Sequence, residues 1–119
     1  MKLEYLKQLL DAEVLTHESD LDTQVKHIFG CDLMSDVLAL VNKDCVLLTG
    51  LTNIQSIRTA EMLDVKCIIY VRGKKPDSFA VSLADENNIC LMSTKYTLFT
   101  SCGILYSKGL RGIDGEDGQ

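Results

Sequence analysis

The chain has 119 residues, a formal net charge of −5 and an apolar content of 46%. That length suits one domain with a single two- or three-layer core, and the acidic balance argues against nucleic acid as a partner, because a phosphate backbone calls for a basic face. No apolar run approaches the ~20 residues that cross a bilayer, and the amphipathic start MKLEYLKQLLDAE is unlike a signal segment, so a soluble, cytoplasmic protein without a membrane partner is expected.

The N-terminal third reads as a helix over 2–11 with Leu3, Leu6 and Leu10 on one face, then a short strand EVLT, a polar turn HESDLDT and a strand VKHIFG. A helix from 32 to 41 follows, with Leu33, Val37 and Val41 expected inward. From there the pattern becomes regular. Cys45, Cys67 and Cys90 each open an apolar run (CVLLTG, CIIYVRG, CLMST), and each run precedes a helical pattern. Strand, loop and helix repeating at this interval signals successive βα units whose strands are parallel neighbours. Near-continuous apolar runs are what strands buried on both faces require.

The first crossover helix, over 53–64, offers Ile54, Ile57, Ala60 and Leu63 to the sheet, with Asn53 or Thr52 as its cap. The second follows Pro76-Asp77 and offers Phe79, Ala80, Leu83 and Ala84. The third is expected to begin near Thr94, with Leu98, Cys102 and Leu105 on one face and Phe99 and Tyr106 beside them. The expected fold is therefore a single α/β domain over 1–108. Three successive βα units form a mainly parallel sheet covered by helices, and the N-terminal helix and short strands join it as a mixed part. Residues 109–119, GLRGIDGEDGQ, carry a glycine at every third position and three acids, a composition that cannot bury a core and reads as a flexible tail. Those three acids leave only −2 on residues 1–112.

The five cysteines (Cys31, Cys45, Cys67, Cys90 and Cys102) are odd in number and form no C-x-x-C pair. Free thiols serving as small apolar residues fit this better than a disulfide framework or a zinc site. His17 and His27 have no ligand-spaced companions, so no metal and no cofactor are called for.

Ligands of parallel sheets collect outside the carboxyl ends of the strands, near helix N-termini. Three segments should meet there: Thr49-Gly50-Leu51-Thr52-Asn53, Arg72-Gly73-Lys74-Lys75 and Ser93-Thr94-Lys95-Tyr96. Four cations, several hydroxyls and two glycines make a cradle suited to phosphate or another anion. Each loop taken alone has a simpler explanation, since Thr, Asn and Ser cap helices and glycine turns the chain. Catalytic signatures are missing: there is no G-x-G-x-x-G, Gly73-Lys74-Lys75 lacks the rest of a P-loop, and neither histidine accompanies Ser93 or Cys90 in a nucleophilic set. Glu61 and Asp64 read as a solvated helix face rather than an acid/base pair.

The stretch LLTGLTNIQSIRTAEMLDVKCIIYVRGKKPD, with ICLMSTKYTLFTSCGILY after it and VKHIFGCDLMSDVLALV before it, resembles the DRTGG domain family over residues 1–110. It is also similar to the N-terminal domain of HPr kinase/phosphorylase. The family takes its name from an Asp-Arg after the first junction glycine and a Thr-Gly-Gly at the end of the next strand. Here Leu51-Thr52 and Val71-Arg72-Gly73 stand at those places, so the role of the Asp-Arg pair is not carried over. The matching positions are Gly50, Gly73, Ser93, Thr94 and Tyr96. The resemblance implies a regulatory or accessory module that forms a homodimer or acts on a partner protein. It does not imply a kinase, whose catalysis belongs to a separate P-loop domain. A sensor binding a nucleotide or phosphorylated metabolite at the three loops is the alternative.

Overall fold

Five strands build the sheet in the computed structural model, which describes residues 1–17, 20–42 and 44–115. They are β1 (Glu13–Val14), β2 (His27–Gly30), β3 (Cys45–Thr49), β4 (Cys67–Tyr70) and β5 (Cys90–Ser93), in the order β1-β5-β4-β3-β2. β2 to β5 are parallel and β1 runs antiparallel to β5. The parallel set thus gains a fourth strand, β2, and the two short early strands lie on opposite edges. Every residue of β3, β4 and β5 is buried.

Alternation along those strands feeds two cores. Leu47, Ile68, Tyr70 and Leu91 face α2 (Met34–Leu40), α3 (Ile54–Leu63) and α4 (Ser78–Glu86). Val46, Leu48, Ile69 and Met92 face α1 (Leu3–Leu9) and α5 (Leu98–Ser107). The result is a three-layer α/β/α domain. Leu3, Leu6 and Leu10 are buried as their helical spacing requires. Among the described residues no helix is long and apolar enough to cross a membrane.

Most inward-facing expectations hold, and Leu33 and Phe79 are the exceptions. Leu33 is exposed because it precedes α2, and Met34 takes its place in the core beside Val37 and Val41. In α4 the small Ala80 and Ala84 bring the helix onto the sheet, which turns Phe79 outward. In α3 Ile57 and Ala60 are buried, while Ile54 and Leu63 lie half-buried at its ends. Leu105 and Ser101 are the buried residues of α5, with Leu98 and Cys102 half-buried and Phe99 and Tyr106 exposed. Close packing of α5 on β2 needs the glycine at Gly30, where a Cβ would lie 2.9 Å from Cys102 Sγ and 3.0 Å from Leu98.

The cysteines are free thiols, with Cys45, Cys67 and Cys90 buried. A hydrogen bond with Cys90, then burial, pushes the Cys67 thiol well above the ordinary range. Of the segment read as a flexible tail, 109–115 are described and 116–119 lie outside the described residues, as do 18 and 19 of the early polar turn. Leu110 is buried against the α1/α5 core and Arg111 bridges to His27 beside β2. A short 3-10 turn, Ile113–Gly115, follows, and Ile113 packs on the other core.

Candidate functional site

The carboxyl ends of four parallel strands face the same way, so the loops after β2, β3, β4 and β5 share one rim. After β2, Asp32 reaches across to the end of β3. Its Oδ1 accepts from Thr49 Oγ1 and from the Gly50 N–H, both at 2.8 Å. The Gly50 amide first, then the Thr49 hydroxyl, and more weakly the Arg72 guanidinium hold this carboxyl below the usual carboxylate range, against the opposing effect of burial. Thr49 Oγ1 in turn accepts from the Leu51 N–H at 3.1 Å. The loop is thereby folded onto a fixed negative charge.

Asn53 caps α3, its side chain accepting from the Gln55 N–H at 3.1 Å, and Thr52 sits half-buried before it. Beneath the cap, Ser56 Oγ lies 2.9 Å from the Tyr70 hydroxyl. Burial pushes the Tyr70 phenol up to about 12, only partly offset by that hydrogen bond.

After β4 the chain turns through two left-handed residues, Arg72 (φ +61°) and Gly73 (φ +69°). The turn is held by the next loop: the Arg72 N–H donates to Tyr96 O and the Gly73 N–H to Thr94 O, both at 2.8 Å. Ser93 Oγ donates to Lys74 O at 2.7 Å, and Thr94 Oγ1 donates to Leu10 O at 2.7 Å. The Arg72 guanidinium lies across Gly50, where a Cβ would collide with it. The exposed guanidinium can swing aside, so the contact by itself does not require glycine here.

The loop after β4 leads to α4 on one face of the sheet and the loop after β5 to α5 on the other. Divergence of this kind opens the crevice in which parallel sheets bind ligands. Here the backbone hydrogen bonds between the two loops fill it. A depression of about 240 Å3 lies at its outer side, lined by Gly73, Lys75, Ser93, Thr94 and Lys95 together with Asp11 and Glu13, and another of about 220 Å3 shares Asp11 and Lys95 with it. Each taken alone is smaller than the ~300–1,000 Å3 typical of small-molecule sites. Lys75 Nζ pairs with Glu13 Oε1 at 2.8 Å.

The anticipated cradle therefore divides. Thr49, Gly50 and Arg72 gather with Asp32, beside Thr52 and Asn53. Gly73, Lys75, Ser93, Thr94 and Lys95 gather with Asp11 and Glu13, while the Lys74 side chain is exposed and Tyr96 borders the second group. Thr94 is not a helix start: α5 begins at Leu98, capped by Thr97, and Thr94 ties the rim to the end of α1. Asp32, Asp11 and Glu13 were not anticipated. Asp32 follows from the strand-end rule once β2 counts among the parallel strands, whereas nothing in the local sequence points to Asp11 or Glu13. Among the described residues no group of three His, Cys, Asp or Glu side chains could hold a metal ion.

A family model described as "DRTGG domain" matches residues 5–107. No curated protein matches the chain. Among solved structures, the CBS and DRTGG domains of the regulatory region of Clostridium perfringens pyrophosphatase, complexed with the activator diadenosine tetraphosphate, align with a TM-score of 0.75 at 17% identity. The alignment covers 87% of this chain and 45% of that one, so this chain spans less than half the length of its structural neighbour. At that identity the likeness concerns the fold.

Proposed function

The chain belongs to the DRTGG domain family, and from that premise we propose that it is a non-catalytic, cytoplasmic regulatory or scaffold module acting through a homodimer or on a partner protein. The observation that carries this reading is the family match over residues 5–107. The polar groups of the rim are engaged with one another, Asp32 with Thr49 and Gly50, Lys75 with Glu13, and Ser93 and Thr94 with backbone carbonyls. Size-exclusion chromatography with light scattering tests the homodimer part: self-association across the micromolar range is expected, and a strict monomer removes the homodimer and leaves the partner protein.

A second reading, a sensor of a nucleotide or phosphorylated metabolite, is favoured by one arrangement. Arg72, Lys74, Lys75 and Lys95 surround the rim, and the structural neighbour was solved with a dinucleotide activator. Clustered cations suit phosphate oxygens. The carboxylates of Asp32, Asp11 and Glu13 oppose this, since they offset part of the charge. Thermal shift with diadenosine tetraphosphate, ATP and inorganic phosphate decides. A ligand at 100-fold excess over its dissociation constant raises stability by about 2.7 kcal/mol, a shift of several degrees. Binding that survives in the Arg72→Ala/Lys95→Ala double variant places the ligand elsewhere.

A further inference from the structure

Among the described residues nothing covers the outer side of the layer formed by α1 and α5. α5 is apolar around most of its circumference. Leu98, Ser101, Cys102 and Leu105 turn toward the sheet, while Phe99, Gly103 and Tyr106 form an outward stripe, Phe99 and Tyr106 being two turns apart. Phe99 is 89% exposed and Tyr106 56%, and Tyr5 on α1 and Tyr96 just before α5 are each 41% exposed. Four of the seven aromatic residues of the chain thus lie on this one layer, all open to solvent.

Gly103 is the informative residue. A glycine inside a helix costs stability relative to alanine, and a Cβ placed there would meet nothing within 4 Å. No contact within the monomer calls for it. A second helix crossing at Gly103 does, because the missing side chain lets two backbones approach closely. The cations beside it lie toward the ends of the helix and leave its middle neutral. From Thr94 to Ile113 there is no Asp or Glu, so burying this face strands no carboxylate. Lys95 and Lys108 lie beyond the two ends of α5, and the Arg111 guanidinium is stacked on the Tyr106 ring, 3.9 Å from its centroid.

We propose that a second copy of this chain covers α5, the two α5 helices packing antiparallel about a two-fold axis near Gly103. This rests on the homodimer part of the proposed function and assigns its surface. The large-small-large order Phe99, Gly103, Tyr106 is self-complementary under that symmetry: Phe99 of one copy meets Tyr106 of the other, twice. The four exposed rings supply on the order of 450 Å2, about half of the ~800 Å2 that each partner of a stable interface buries. An apolar contact of that size suits a weak, concentration-dependent dimer rather than a permanent one.

Sedimentation velocity across the micromolar range, on wild type, Phe99→Asp and Gly103→Arg, tests it. Wild type is expected to dimerise and both variants to stay monomeric. Gly103→Arg at the same time melts no lower than monomeric wild type, since it removes a helix-interior glycine and meets nothing in its own fold. That second readout separates interface loss from misfolding if Phe99→Asp proves unstable. A wild-type dimer that persists in a folded Gly103→Arg variant overturns the α5 assignment and leaves the homodimer reading standing. A wild type that stays monomeric overturns both, and gives the face to another kind of partner.

Discussion

Asp32 and Arg72 face each other across Gly50: the carboxylate holds the Gly50 N–H at 2.8 Å while the guanidinium lies over the same glycine's α-carbon. One residue of the chain is thus gripped on one side by an acid from β2 and covered on the other by a base from β4. Asp32→Asn removes a charged acceptor of two hydrogen bonds. The carboxylate is solvent-exposed, so the loss should be about 1 kcal/mol rather than the larger values of buried pairs. Because the folded state lowers the Asp32 pKa, this contribution is fully present above the ordinary carboxylate range and is lost as pH falls through and below it. The melting-temperature gap between wild type and variant should therefore be constant at neutral pH and close in acid; a gap that widens on acidification contradicts the arrangement.

Tyr70 gives a prediction of opposite sign. Its pKa is raised to about 12, so the stability it contributes as a neutral phenol is present below pH ~10, its unfolded value, and is lost between there and about 12. A difference absorbance titration of wild type against Tyr70→Phe should show no Tyr70 ionisation near pH ~10 and a step near 12 or at alkaline unfolding. The substitution also removes one of the two hydrogen bonds of Ser56 Oγ, leaving the one it donates to Asn53 O, a cost of about 1 kcal/mol.

The start of α5 separates two threonines by role. Thr97→Ala deletes the cap that accepts from the Thr100 N–H and should cost about 1 kcal/mol. Thr94→Val keeps the shape but leaves the buried Leu10 carbonyl without its 2.7 Å donor, a cost of roughly 1–3 kcal/mol. Denaturant midpoints for the two variants rank them; a smaller loss at Thr94 than at Thr97 contradicts the tie between Thr94 and the Leu10 carbonyl.

Past the end of α4 the chain passes through Asn88 in the left-handed region, φ +57°. Asparagine tolerates this conformation, glycine does so freely, and a β-branched residue does not. Asn88→Gly should leave the melting temperature nearly unchanged, whereas Asn88→Val should destabilise by about 1–2 kcal/mol.

How far these features can be read from the sequence depends on how many constraints each residue serves. β3, β4 and β5 are legible because burial on both faces allows almost nothing but apolar residues, and the caps Asn53 and Asp77 because one local hydrogen bond explains each. The inner face of α5 is legible, since Leu98, Cys102 and Leu105 share the side that turns to the sheet. The exposure of Phe99 and Tyr106 is not, because a helix apolar on two sides leaves the second side undecided. The rim is half legible. Arg72 and Ser93 sit at strand ends as their positions require, but the acids that meet them come from α1, β1 and β2, elements whose place in the sheet is set by long-range pairing and by no local pattern.

The return of residues 110–112 along β2 has a consequence for assembly. The Ile28 N–H, which would otherwise point outward from the sheet's flank, already donates to Arg111 O at 3.0 Å, and the opposite flank is a strand of only two residues, β1. Open strand flanks are the usual templates for unwanted chain-to-chain extension and fibre growth. With one flank met by its own C-terminal segment and the other only two residues long, this sheet offers little edge to an added strand, which leaves its helices and loops as the broader surfaces for contact.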